Sequence, residues 1–140
     1  MKEKIKEIII DAKGAVVGRL SSFAAKKALQ GNFIIIVNSE EAIIIGRPKQ
    51  ILESYLKKFR LGRGVQKGPL FPRKSEAMLR RAIRGMIGWK KTKGREAFKR
   101  VKCYEGMPEK YTNDEKISVF KREALNFITL GRLSELIRQK

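Results

Sequence analysis

Short, continuous apolar runs and longer amphipathic stretches follow one another along this chain. Glu7-Ile8-Ile9-Ile10-Asp11 is unbroken and β-branched, the pattern of a strand covered on both faces of a parallel sheet. Asp11 to Gly14 reads as a turn. From Val17 the period changes: Leu20, Phe23, Ala24 and Ala28 share one helical face, with Lys26 and Lys27 off it, and Gly31-Asn32 ends the helix. Phe33-Ile34-Ile35-Ile36-Val37-Asn38 is a second buried strand, so the first 38 residues predict a βαβ unit with a right-handed crossover. Ser39-Glu40-Glu41 reads as a solvated polar turn before a third strand, Ala42-Ile43-Ile44-Ile45. Pro48 then opens a helix whose stripe is Ile51, Leu52, Tyr55, Leu56 and Phe59, supported by Glu53 and Lys57 at i,i+4.

Periodicity disappears from Arg60 to Lys74, where glycine, proline and five cations make a loop or arm. Its cations repel one another and its glycines raise the entropy of ordering, so it is expected to be mobile alone and ordered on a polyanion. Ser75 is the expected N-cap of a helix to about Met86, with Leu79, Ala82, Ile83 and Met86 on one side and Arg80, Arg81 and Arg84 on the other. Gly85 and Gly88 loosen its end. Lys90-Lys91-Thr92-Lys93-Gly94 reads as a basic turn. A short helix from Arg95 to about Val101 follows, with Ala97, Phe98 and Val101 inward and Arg95, Lys99 and Lys102 outward. Lys102 to Glu105 is a fourth candidate strand, and Pro108–Lys116 a polar surface loop. Ile117–Phe120 is too short to classify. Asn126–Leu130 is a candidate edge strand, and a last helix turns Leu133, Leu136 and Ile137 inward. At 140 residues, without internal repeats, this is a single α/β domain.

Charge changes the picture. Of a net +19, the stretch from Lys57 to Lys102 carries +15, with 17 Lys or Arg against Glu76 and Glu96. The flanks are nearly neutral, so the charge is a block. Fixed cations this dense need a polyanion, and nucleic-acid phosphates supply both neutralisation and affinity through counterion release. A solubilising surface seldom needs such clustering. A membrane surface would call for a bulky apolar face that the block lacks. The candidate contacts are Arg60, Arg63, Lys67, Arg73 and Lys74 in the arm, and Arg80, Arg81 and Arg84 on the helix. Beyond it come Trp89, Lys90, Lys91, Lys93, Arg95, Lys99 and Arg100. Arginine forks grip phosphate oxygens bidentately, and a helix fixes their spacing. Trp89 either stacks on a base or sugar or caps the edge of the core.

The chemistry the sequence lacks narrows the function. Histidine is absent and Cys103 is the single cysteine, which argues against a structural zinc site and against the Ser-His and Cys-His nucleophile pairs. Gly14-Ala15-Val16-Val17-Gly18 is not the GxGxxG dinucleotide pattern, though Arg19 at this helix start could meet a phosphate. Cys103 is expected to be a buried structural thiol. The chain contains no run of about 18 apolar residues, and its first seven residues do not resemble an export signal, so a cytoplasmic protein is expected. An enzyme acting on nucleic acid is the main rival, but Glu76 and Glu96 do not obviously converge on a metal.

Several motifs resemble a known family. Gly85-Met86-Ile87, a basic turn closed by Gly94, then Ala97, Val101 and Tyr104-Glu105-Gly106-Met107-Pro108 resemble the signature of the large-subunit ribosomal protein thirteen family. Ile10-Asp11-Ala12-Lys13-Gly14 with Val17-Gly18-Arg19-Leu20 resembles its start. Gly68-Pro69, Arg80 with Ile83-Arg84, and Leu130-Gly131-Arg132-Leu133 resemble its archaeal–eukaryotic branch. The resemblance implies a three-layer α/β/α core with a four-stranded, mainly parallel sheet and a basic RNA-binding extension. It further implies a non-catalytic role in large-subunit ribosomal RNA, neighbouring large-subunit ribosomal proteins as partners, and neither cofactor, metal, membrane nor small-molecule substrate. The family usually has proline where Gly88 stands, which implies that Trp89 and Lys90 are presented less rigidly here.

Overall fold

The structure, a computed structural model, describes residues 6–60, 71–118 and 121–139. Its elements in chain order are β1 (Glu7–Asp11), α1 (Val17–Leu29), β2 (Phe33–Val37), β3 (Ile43–Ile45), α2 (Pro48–Arg60), α3 (Ser75–Ile87), α4 (Thr92–Lys99), β4 (Val101–Cys103), β5 (Ile117–Ser118), β6 (Phe127–Thr129) and α5 (Leu130–Arg138). Short 3-10 turns lie at Ser39–Glu41 and Glu109–Tyr111. The expected arm falls mostly on residues 61–70, outside the described residues, and so do Arg63 and Lys67.

Four parallel strands form the central sheet in the order β4-β2-β1-β5. Because side chains alternate across a strand, the two isoleucine runs divide between its faces. Ile10, Ile34 and Ile36, all fully buried, join the large apolar cluster to which all five α-helices contribute. Ile9, Ile35 and Val37 join Tyr111, with Tyr104 packed alongside, on the other face. Each such side chain contributes about 1.5–3 kcal/mol on burial. The expected α/β class and four-stranded sheet are therefore present, with both faces covered and the covering unequal. Residues 109–116 are not merely a surface loop, because Tyr111 is buried from the Glu109–Tyr111 turn.

The third apolar run is a strand but lies outside this sheet: β3 pairs antiparallel with β6, Ile43 opposite Thr129 and Ile45 opposite Phe127. The reason is length. A parallel neighbour needs a crossover of roughly a dozen residues, whereas only Asn38 to Ala42 separate β2 from β3. Asn38, left-handed at φ 56°, turns the chain away instead. The fourth parallel strand is β5, described over Ile117–Ser118.

The carboxyl ends of the strands are tied together by polar side chains. Asp11 Oδ1 accepts from Asn38 Nδ2 and from the Lys13 N–H, both at 3.0 Å. Glu40 is not simply solvated: its Oε2 accepts the Gly106 N–H at 2.9 Å. The Asn38 N–H donates to the Gly106 carbonyl at 2.9 Å, closing β2 on the segment after β4. At the other end of α1, Gly31 sits at φ +99° and its N–H donates to Ala28, while the Asn32 N–H donates to Lys27; this is a Schellman stop.

Cys103 is half-buried on β4. Burial pushes its thiol up to about 12, with Arg80 pulling slightly down and Glu76 slightly up. A folded-state value raised above the unfolded one gives stability that is complete below the unfolded pKa of about 8.5 and is lost as pH rises toward 12. A thiol-specific disulfide reagent at pH 8 is therefore expected to leave Cys103 untouched in the native protein and to react with it fully in denaturant. The melting temperature is expected to fall only above about pH 9. Rapid labelling of native protein would contradict this.

Candidate nucleic-acid interface

Within the basic block, α3 and α4 form a helical hairpin. Helix α3 is amphipathic, with Met78, Leu79, Ile83 and Ile87 buried, and it packs mainly on α1. Ala82 is half-buried and Met86 is 49% exposed, so the apolar stripe is rotated from the expected one. Ser75 is not the cap. It is the first helical residue, buried, and its Oγ donates to Glu105 Oε1 at 2.5 Å, while Lys74 takes the N-cap position without a side-chain bond. Ser134 Oγ of α5 donates to the Arg73 carbonyl, so the start of α3 is anchored from two sides.

Gly88 ends α3 in the left-handed region at φ +73°. Proline, fixed near −65°, could not occupy this backbone. The turn at Gly88 is fixed rather than loose. Helix α4 begins at Thr92, three residues before the expected start, which buries Gly94 against the turn. A Cβ on Gly94 would lie 2.1 Å from the Gly88 carbonyl oxygen. The Lys91 N–H donates to that oxygen at 3.1 Å, and Arg95 Nε donates to the Trp89 carbonyl at 3.2 Å. Val101, expected at the end of the helix, instead begins β4.

The arginines mostly lie over aromatic rings. Arg73 is 4.4 Å from the Phe59 ring centre, Arg80 4.1 Å from Phe98, Arg81 4.8 Å from Phe71 and Arg84 4.3 Å from Trp89. Arg95 is a second guanidinium at Trp89, 5.1 Å from its ring centre. Such contacts contribute about 0.5–1 kcal/mol each at exposed sites, and they hold the forks in place before any ligand arrives. Trp89 belongs to neither apolar cluster and is 38% exposed. It therefore does not cap the core.

The expected contact residues divide by location. Arg81, Arg84, Lys90, Lys91, Lys93, Arg95 and Lys99 are exposed along α3, the turn and α4; Arg73 and Lys74 lead into α3, and Arg60 ends α2. Arg80 is not on a free arginine row. It is half-buried, and its Nε donates to the Val101 carbonyl at 3.2 Å. Arg100 is also half-buried, donating to the Ala28 carbonyl at 2.9 Å and thereby satisfying the end of α1. Both arginines brace the hairpin against the core. Sequence reasoning missed Lys26 of α1, which lines a groove with Met86 and Lys93 and continues the basic surface beyond the block. Its only sequence signal was its place off the apolar face. Among the described residues the one ion pair is Arg132–Glu135, far along the chain from this surface. No group of three or more metal-ligating side chains occurs among them, and none of their helices is long and apolar enough to cross a membrane.

A parallel α/β core thus carries a carboxylate-poor cationic hairpin, a surface whose charge suits a polyanion. The family model for ribosomal protein L13 matches residues 5–110. The chain is 46% identical over 135 residues to the large ribosomal subunit protein uL13 of Methanocaldococcus jannaschii, covering 94% of this chain and 98% of that one. It is 42% identical to the uL13 of Methanopyrus kandleri, with 91% and 84% covered, and 37% identical to that of Haloarcula marismortui, with 94% and 90% covered. This chain belongs to the ribosomal protein L13 family.

Proposed function

We propose that the chain is a structural constituent of the large ribosomal subunit, acting in the cytoplasm without catalysis, and that it binds large-subunit ribosomal RNA through the α3–α4 hairpin and the residues flanking it. Neighbouring large-subunit proteins are its other partners. The observation that carries the RNA contact is the run of exposed Arg81, Arg84, Lys90, Lys91, Lys93, Arg95 and Lys99 with Glu96 as the only acid on the same two helices' exposed side. Phosphates crowding against such a surface are neutralised without moving the protein backbone, and arginines already resting on rings lose little freedom on contact. Arg80 and Arg100 support this surface from behind.

Binding to ribosomal RNA is expected to depend steeply on salt. With roughly 6–8 phosphate contacts, log K against log salt should fall with a slope of about −4 to −7. A slope shallower than about −2 would mean a mostly solvated surface. Sedimentation of a lysate completes the test: the protein should travel with the large subunit through a high-salt wash, and free protein after that wash would indicate a transient RNA binder.

A further inference from the structure

The turn between α3 and α4 opens a cleft of about 460 Å³ lined by Arg81, Arg84, Gly85, Gly88, Trp89, Lys90 and Lys91. A second depression of about 290 Å³ shares Arg81, Arg84 and Trp89 with it and reaches Arg80 and Phe98. The three shared side chains thus line both hollows. Three features separate this place from a generic phosphate-binding surface. It holds the protein's only tryptophan, and that ring stays partly exposed beside the two arginines that rest on it. Two glycines form part of the cleft wall, and a Cβ built at either would meet nothing within 4 Å, so the backbone leaves open room there. Among the described residues no carboxylate lines either hollow.

A duplex keeps its base faces stacked inside and offers phosphates, hydroxyls and groove edges, whereas an unpaired nucleotide adds a free base face. Trp89 already positions Arg84 and Arg95, and the part of its ring left exposed is where such a face would lie. We infer that the cleft receives one unpaired nucleotide of an RNA strand, its base stacked against Trp89 and Arg84 and its phosphates held by Lys90, Lys91 and Arg81. The cleft volume lies in the range of small-molecule sites, and stacking on an aromatic ring tolerates any base. This inference rests on the RNA-binding reading above and narrows it to a single-stranded element at this turn.

Because Trp89 is the sole tryptophan, its emission reports this turn and the two hollows it lines. Titration with the single-stranded hexanucleotide of adenylate is expected to quench that emission saturably. Inorganic polyphosphate and a short RNA duplex, although they bind, should leave it nearly unchanged. Binding itself is followed separately by anisotropy of labelled probes, so failure to bind any probe would overturn the RNA reading. Binding with no adenylate-specific quench, or equal quench by polyphosphate, would overturn only the nucleotide cleft. Trp89→Leu is expected to weaken the hexanucleotide about tenfold while leaving its salt slope unchanged, since stacking releases no counterions. Trp89→Phe should recover most of the loss. Unchanged hexanucleotide affinity in a Trp89→Leu protein that melts like the parent would also overturn the inference. If that variant does not fold, the quenching titration of the parent decides alone.

Discussion

Gly94→Ala is expected to lower the stability of the protein by about 3 kcal/mol, at the upper end of overpacking losses, and its melting temperature by roughly 10 °C. The methyl group would stand 2.1 Å from the Gly88 carbonyl oxygen, 2.6 Å from its carbon and 2.9 Å from the Ile87 oxygen. These are backbone atoms at the capped end of a helix, so they cannot swing aside like a flexible side chain. Either α4 separates from the end of α3 or the left-handed turn at Gly88 is rebuilt. In both cases Trp89 moves relative to Arg84 and Arg95, and tryptophan emission should shift along with the melting curve. Gly85→Ala is the control: the same methyl meets nothing within 4 Å, and a helical glycine replaced by alanine is expected to gain about 0.5–1 kcal/mol. Differential scanning calorimetry of the two variants decides it. Equal melting temperatures would show that the close approach of Gly94 to Gly88 is not a constraint.

Charge reversal on the hairpin should have the largest effect on binding. Arg84→Glu combined with Lys90→Glu is expected to weaken ribosomal RNA binding by about a hundredfold or more and to flatten the salt slope by about two units, since each lost phosphate contact removes nearly one. Both side chains are exposed, and neither makes a hydrogen bond to the core, so the cooperative melting transition should persist apart from the lost contact between Arg84 and Trp89. Arg80→Glu is a poor test of the same idea. It removes the bond to the Val101 carbonyl and leaves a carboxylate between Phe98 and β4, so its effect on binding would be confounded with unfolding. A double variant that binds with unchanged slope would move the interface elsewhere on the molecule.

What could be read in the amino-acid pattern was whatever depends on local periodicity. The unbroken isoleucine runs announced β1 and β2, and the stripe from Ile51 to Phe59 announced α2 within a residue or two. The charge block located the candidate interface because charge needs no folding to be counted. Features that depend on distant contacts were not legible. The described residues of β5, Ile117 and Ser118, are exposed, and their pairing with β1 is what marks them as a strand. Tyr111 sits among polar neighbours, and nothing nearby in the chain shows that Ile9, Ile35 and Val37 need its ring. Arg80 and Arg84 have the same helical credentials, yet one turns toward Val101 and the other toward Trp89. Their partners lie on opposite sides of α4, and no spacing rule on α3 distinguishes them.

The pairing of Ile10 with Ile117 has a kinetic consequence. Strands β1 and β2 come from neighbouring sequence and can join early, but the edge beyond β1 stays open until a segment about a hundred residues later reaches it. Such non-local closure is slow compared with forming local helices. Within that long loop lie α3 and α4, whose cations would meet RNA before the sheet beneath them is complete. The order of events then favours RNA as a template. Phosphates that gather the hairpin would shorten the search of β5 for its place beside β1, and refolding in the presence of RNA should be faster than in its absence.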